Sequence, residues 1–153
     1  MSGTLVLRNR QRVRAVDTRL LRQVTLHLLR EEFGAEDFEV CLHLVAAPEM
    51  ARLNWDFLQH EGSTDIITFD QNEGATGRLA GELFICLDEA VKQAREFRTT
   101  WPAELARYVI HGLLHLRGFD DLAPAARRVM KREENRLLRR AGREFPLAQL
   151  QKA

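Results

Sequence analysis

Apolar residues recur along this chain with two spacings, and each spacing predicts a different kind of element. Four short segments are rich in β-branched and other apolar residues and are bounded by polar or glycine-containing turns, as strands typically are. These predicted strands are residues 4–9 (TLVLRN), 38–46 (FEVCLHLVA), 64–70 (TDIITFD) and 79–87 (LAGELFICL). Only residues 71–78, which include the loop QNEGATG, separate the last two, so they are within reach of a hairpin.

Five other segments carry apolar residues at the three- and four-residue spacing of one helix face. The predicted helices run from Asp17 to Gly34, from Pro48 through Phe57, from Asp88 to about Phe97, from Thr100 to Gly118 and from about Pro124 to Arg140. Asp17, Asp88 and Thr100 are residues that commonly cap helices. Four strands and five helices in this order predict an α+β fold with one small sheet, in a single domain covering residues 1–153.

From the composition we expect a globular protein that does not enter membranes. The 153 residues are 45% apolar and 29% charged, which suits one domain with a core. No apolar run approaches the ~18 residues of a membrane span, and the first residues lack the regions of a signal peptide. Cys41 and Cys86 lie in apolar runs and form no C-x-x-C pair, which predicts buried thiols in a reducing compartment. We therefore expect a cytoplasmic location.

Charge is nearly balanced overall but unevenly distributed. The net charge of +1 gives no general attraction to nucleic acid. Basic residues crowd the last predicted helix, but Glu133 and Glu134 interrupt them, so a surface helix with ion pairs is favoured over a phosphate-binding face. Trp55 and Trp101 are expected to pack in the core or at helix starts rather than to stack on bases.

Residues 111–121, HGLLHLRGFDD, combine the signals of a helix end with side chains that bind metals. His111 and His115 are four residues apart, so on a helix they lie on the same face, where they flank the apolar stripe. Gly118 falls where helices commonly end with a left-handed residue, and a chain reversed there can bring Asp121 back over that face. The histidine pair alone is more often two half-buried surface residues.

The wider spacing H-x-x-x-H-x-x-G-x-x-D matches the ligand and glycine spacing of the metzincin motif, with aspartate as the third ligand. Three nitrogen and oxygen ligands leave a position open for water, as in catalytic zinc sites, whereas structural sites usually close with four ligands. The motif therefore predicts a catalytic metal. Gly112 stands where the metzincins carry their glutamate general base, which argues against a protease.

These residues resemble the YbeY proteins, bacterial metal-dependent endoribonucleases implicated in ribosomal RNA maturation. The family motif H-G-x-L-H-L-x-G-[YF]-D-H is matched at His111, Gly112, Leu114, His115, Leu116, Gly118, Phe119 and Asp120. A second block, approximately L-N-x-x-[YF]-R-x-x-D-x-P-T-D-V-L-S-F, is matched at Leu53, Asn54, Phe57, Thr64, Asp65 and Phe69. A third block, G-D-[IL]-x-I, is approximated by Gly81, Glu82, Leu83 and Ile85. The three blocks follow the family order and cover most of residues 50–125.

The resemblance implies a small, mostly parallel four-stranded sheet surrounded by helices, with the first two ligands on a central helix. It implies one Zn²⁺ per chain, held by His111, His115 and Asp121. The implied activity is single-strand-specific cleavage of RNA, in maturation of the 16S rRNA 3′ end and in ribosome quality control. Ribosomal RNA and the small ribosomal subunit are the implied partners. The general base stays open between Asp65 and Asp120.

Two positions depart from the family pattern. Asp121 replaces the third histidine; a carboxylate binds zinc at about 2.0–2.2 Å but adds negative charge, which should make the metal a milder Lewis acid. Two histidines and one carboxylate also suit iron(II). Leu58 stands where most members carry an arginine thought to face the active cleft, so a positive charge suited to a phosphate is missing there.

Three alternatives remain open at this point. The ligand spacing alone would also suit a zinc metallopeptidase. A non-catalytic ribosome-assembly factor with a structural metal would explain Leu58 and Asp121 as marks of lost chemistry. The last alternative is a chain that binds no metal at all.

Overall fold

The described part of the chain, residues 3–72 and 78–153 of a computed structural model, contains four strands and five helices. The strands are β1 (Gly3–Asn9), β2 (Asp37–Val45), β3 (Ile66–Asp70) and β4 (Arg78–Cys86). The helices are α1 (Thr18–His27), α2 (Ala47–Leu58), α3 (Leu87–Phe97), α4 (Trp101–Leu116) and α5 (Pro124–Glu144). A π turn, Leu28–Glu32, follows α1, and a 3₁₀ turn covers Leu147–Leu150. None of the helices in the described residues is long and apolar enough to cross a membrane.

The strands form one mixed sheet in the order β1-β2-β4-β3. β1, β2 and β4 run parallel, and β3 runs antiparallel to β4. The hairpin expected between the third and fourth strands is therefore confirmed, although residues 73–77 of its loop lie outside the described residues. The α+β fold, a single domain with a small and mostly parallel four-stranded sheet, is confirmed as well.

α4 lies against one face of the sheet and supplies the centre of the core. Val109, Leu113 and Leu116 of its apolar stripe are each at most 3% exposed. They share one cluster with Leu42 of β2 and Leu83 of β4. The opposite face carries a smaller cluster with α2: Val45, Met50, Ile67, Phe84 and Cys86. The central helix of the fold is thus the one that carries the histidine pair.

Helix caps agree with the sequence except at one helix. Asp17 and Thr100 cap α1 and α4 as predicted, each accepting a backbone N–H with its side chain. Asp88 does not cap α3; it lies in the first turn, and its Oδ2 accepts the N–H of Ala47 at the start of α2 (2.6 Å). α5 runs to Glu144, one turn further than predicted.

Two predictions about burial are only half correct. Trp101 is buried at the start of α4, as expected, but Trp55 is 55% exposed on α2. Cys86 is buried, whereas Cys41 is partly exposed.

At Gly112, α4 packs closely against the sheet. A Cβ atom built there would overlap Leu83 Cδ2 of β4 and lie 2.8 Å from Ile66 Cδ1 of β3. A glutamate side chain at this position would therefore collide with the sheet. Glycine at position 112, where the metzincins have their glutamate base, is therefore required by the packing of this fold.

We predict that Gly112→Ala destabilises the protein by about 1–3 kcal/mol, the usual cost of forcing extra volume into a packed core. The measurement is urea unfolding in the presence of a chelator, so that metal binding does not contribute. Gly142→Ala on α5 is the matched control, because its Cβ meets only an ordinary contact with Leu147 at 3.9 Å. That control should be stabilised by roughly 0.5–1 kcal/mol, the helix preference of alanine; equal effects of the two substitutions would contradict the packing argument.

Candidate metal centre

The last two turns of α4 bring the two histidines together. His111 and His115 lie on one face beside the buried stripe, and their side chains are 23% and 28% exposed. Their Nε2 atoms are 3.2 Å apart. The predicted position of the pair, on one helix face and flanking the apolar stripe, is confirmed.

α4 ends in a Schellman motif, as the glycine at position 118 predicts. Gly118 has a φ of 106°, its N–H donates to the carbonyl of His115 (3.0 Å), and the N–H of Phe119 donates to the carbonyl of Leu114 (3.0 Å). Asn72 ties this helix end to the sheet: its Nδ2 donates to the carbonyl of Leu116 (2.9 Å), and its Oδ1 accepts the N–H of β4 residue Ala80 (2.6 Å). The helix end is thereby held in a defined position.

The reversed chain returns Asp121 to the histidine pair. Its Oδ2 lies 3.7 Å from His111 Nε2 and 3.9 Å from His115 Nε2. The structure therefore brings together all three residues that the sequence nominated as metal ligands.

The separations of these three atoms fit one metal ion. A tetrahedral zinc ion with bonds of about 2.0–2.2 Å holds its ligand atoms roughly 3.3–3.5 Å apart. The observed separations of 3.2, 3.7 and 3.9 Å bracket that value. Two imidazole nitrogens and one carboxylate oxygen are also a donor set that zinc accepts, with a fourth position left for water.

The partners of the two Nδ1 atoms favour the ring tautomer that can bind a metal through Nε2. His111 Nδ1 lies 2.8 Å from Glu134 Oε2, and His115 Nδ1 lies 3.1 Å from the carbonyl oxygen of Phe119. Because both partners can only accept, each Nδ1 carries the proton and each Nε2 presents a lone pair. When both rings are neutral, two lone pairs face each other at 3.2 Å and repel unless a proton or a metal ion lies between them.

The surroundings shift the pKa values of the two rings in opposite directions. Burial lowers the pKa of His111, but the hydrogen bond and negative charge of Glu134 outweigh it and raise that pKa. Burial and the charge of His111 lower the pKa of His115, which favours the neutral ring that a metal needs. Burial raises the pKa of Glu134, yet its hydrogen bonds with His111 and Arg107 outweigh burial and lower that pKa. The site therefore combines ionised Glu134 with one ring ready to bind as a neutral ligand.

Glu134 is a functional residue that the sequence reasoning missed. It is only 5% exposed, and its Oε1 accepts a hydrogen bond from Arg107 (2.8 Å) while its Oε2 contacts His111. The sequence did contain a signal: Glu134 falls between Met130 and Leu137 on the buried face of α5. A charged residue on an apolar stripe is expected to have a specific buried partner.

A second group of potential ligands, Cys41, His43 and Glu82, is held together differently. Here Arg10 lies 3.0 Å from His43 Nδ1, and because arginine can only donate, this nitrogen is the acceptor. His43 Nε2 consequently carries the proton and donates it to Glu82 Oε1 (2.8 Å). This group is a hydrogen-bonded network. The nitrogen that faces Cys41 and Glu82, His43 Nε2, already carries a proton.

Two cavities open beside the histidine pair. Leu58 and Asp65 both line the one that reaches β3. Asp65 Oδ1 accepts the N–H of Ile66 (2.8 Å) at the start of β3. Asp120 Oδ1 accepts the N–H of Leu122 (3.1 Å), whereas the Nδ1 atoms of His111 and His115 contact Glu134 and the Phe119 carbonyl.

Comparisons with known proteins agree with the geometry. Residues 6–142 match the family model of the endoribonuclease YbeY. Relatives with that name include proteins of Salinibacter ruber, 36% identical over 82% of this chain and 83% of the relative, and Chlorobium phaeovibrioides, 34% identical over 91% of each. The solution structure of TM1509 from Thermotoga maritima is similar in fold, with a TM-score of 0.71 and 24% identity over 98% of this chain and 97% of that one.

We predict about one zinc ion per chain when the protein is purified without added metal and examined by elemental analysis. His111→Ala should lose the ion, because two remaining ligands bind zinc weakly. His27→Ala is the matched control, since that ring packs edge-on against Phe145 and has no part in the site. Metal retained in His111→Ala, or none in the unchanged chain, would contradict the site.

Glu134→Gln should weaken zinc binding by about 10- to 100-fold, the usual effect of removing a carboxylate that orients a ligand histidine. The affinity is measured by competition with a chromophoric chelator at one pH. Glu133→Gln is the control, because Glu133 pairs with Arg136 (2.8 Å) on the outer side of α5. Equal zinc affinities for the two variants would show that Glu134 does not support the site.

Proposed function

The chain belongs to the family of the endoribonuclease YbeY, and from that membership we propose that it cuts single-stranded RNA with one Zn²⁺ held by His111, His115 and Asp121. The observation that supports this most directly is the convergence of three ligand atoms whose outer partners leave both Nε2 lone pairs directed at one point. The open side of this group faces two cavities, which gives a phosphodiester access.

Each residue of the site has a distinct task in this proposal. A bound zinc ion would polarise a phosphodiester oxygen and make water easier to deprotonate. Glu134 and the Phe119 carbonyl keep the rings of His111 and His115 oriented, so the ligands need not reorganise during the reaction. Phosphodiester cleavage depends mainly on positioning and charge stabilisation, so it tolerates the absence of a glutamate at position 112.

Asp65 is the general base in this proposal. It lines both cavities together with His111 and Asp121. Its Oδ1 is engaged by Ile66, while Oδ2 has no donor among the described residues and is therefore the atom to take a proton from the attacking water. Asp120 is the weaker candidate, because its carboxylate is used in the turn before α5.

Membership of the family also suggests the substrate, the partner and the compartment. We propose that the substrate is ribosomal RNA, including the 3′ end of 16S rRNA, and that the small ribosomal subunit is the partner in maturation and quality control. The cytoplasm is the compartment in this proposal. Asp121 as third ligand lowers the net charge of the site by one relative to three histidines, which should moderate its rate without removing the metal.

We predict that the zinc-loaded chain cleaves single-stranded RNA and leaves unstructured casein intact. Asp65→Asn should lower the rate of RNA cleavage by about 10²- to 10⁴-fold, the contribution of a general base, with its zinc content unchanged. Asp120→Asn is the matched control and should retain most of the activity. Gel analysis of labelled RNA and of casein provides both measurements.

Cleavage of casein alone would replace this proposal with a metallopeptidase. A His115→Ala chain that loses zinc and yet completes rRNA maturation in cells would favour a non-catalytic assembly factor.

A further inference from the structure

The two cavities beside the metal group differ in charge. One, of about 480 Å³, lies between α3, α4 and α5; the other, of about 410 Å³, lies beside β3. His111, Asp121 and Asp65 line both, so they form the wall between them. A strand of RNA with its scissile phosphate at the metal group would place neighbouring nucleotides in one or both cavities.

Among the described residues, lysine and arginine line the larger cavity and not the smaller one. Arg107, Arg127 and Lys131 stand there beside four carboxylates, whereas the smaller cavity has acids such as Asp70 and the apolar Leu58. The smaller cavity is therefore unfavourable for an extra phosphate. The missing family arginine at position 58 belongs to that side.

Two of the three cations have capacity for a ligand. Arg107 is occupied, because its NH1 donates to Glu134 and to Asn135, both at 2.8 Å. Lys131 Nζ lies 3.9 Å from Glu134 Oε1, too far for a hydrogen bond, and the side chain is 65% exposed. Arg127 donates its Nε to the carbonyl of Asp121 (3.2 Å), which directs the guanidinium towards the metal group. Arg127 and Lys131 are four residues apart and thus share one face of α5.

The same cavity carries an exposed aromatic ring. Phe97 is the last residue of α3 and is 65% exposed although it lines the cavity. Arg98 follows it in the left-handed conformation, with a φ of 56°. This conformation is a common end for a helix, and the N–H of Arg98 donates to the carbonyl of Ala94.

Resting on the proposed function, we propose that the larger cavity is the RNA subsite next to the scissile phosphate, in which one base stacks on Phe97 and the adjoining phosphates bind Lys131 and Arg127. Stacking on an aromatic ring with cations along the backbone is how proteins bind single strands without reading their sequence. The subsite predicts single-strand preference, because a base in a duplex cannot stack on the ring.

Single-turnover cleavage of a labelled single-stranded RNA by the full, zinc-loaded chain tests the subsite. The half-saturating enzyme concentration reports binding, and the maximal rate reports chemistry. Phe97→Ala should raise the half-saturating concentration about 5- to 150-fold, as loss of one stacked base does. Its maximal rate and its dependence on salt should stay unchanged. Trp55→Ala, an exposed aromatic on α2, is the control and should have no effect.

The charged residues have a different signature, which is salt dependence. The double variant Arg127→Gln/Lys131→Gln should reduce the slope of log affinity against log salt by about 1.4, or roughly 0.7 for each phosphate contact with a single strand. Arg128→Gln/Arg132→Gln carries the same charge change on the neighbouring face of α5 and should leave the slope unchanged. Zinc content is measured for each variant, because Arg127 also contacts Asp121.

The outcomes separate the two proposals. If the unchanged chain cleaves RNA but Phe97→Ala and the charge variant behave like their controls, the subsite is wrong and the nuclease proposal stands. If the unchanged chain neither binds nor cleaves single-stranded RNA, both proposals are wrong.

Discussion

The candidate metal centre depends on the hydrogen bond between His111 Nδ1 and buried Glu134. That contact places the ring proton on the outer nitrogen and leaves the Nε2 lone pair directed at His115 and Asp121. The carbonyl of Phe119 does the same for His115. Without these acceptors, either ring could place its proton on the inner nitrogen and close the site to a metal.

The network around His43 shows that the hydrogen-bond partner of Nδ1 decides which ring nitrogen is free to bind a metal. Both groups contain a histidine and a carboxylate with ligand atoms close together, and a list of donor atoms does not separate them. Arg10 can only donate to His43, whereas Glu134 can only accept from His111. One neighbour at hydrogen-bond distance therefore distinguishes the hydrogen-bonded network on the sheet from the candidate metal site on α4.

Packing and chemistry meet on α4. Its apolar stripe and Gly112 hold the helix tightly against β3 and β4, and Asn72 secures its last turn, so the ligands stand on a rigid element. Rigid support of this kind limits the cost of reorganising the ligands during a reaction. The cleft beside it is asymmetric: acidic side chains line both cavities, but among the described residues lysine and arginine line only the cavity next to α5.

Local sequence patterns determined most of the elements and nominated His111, His115 and Asp121, because helical spacing and a glycine at a helix end act over a few residues. The same patterns missed Glu134, which is 23 positions from His111, and could not show that Gly112 meets Leu83. They also misassigned Asp88, whose carboxylate caps a helix that begins 41 positions earlier in the chain. These contacts join segments that are distant in sequence, so only the packing of α4 and α5, of α4 on the sheet, and of α3 beside α2 decided them.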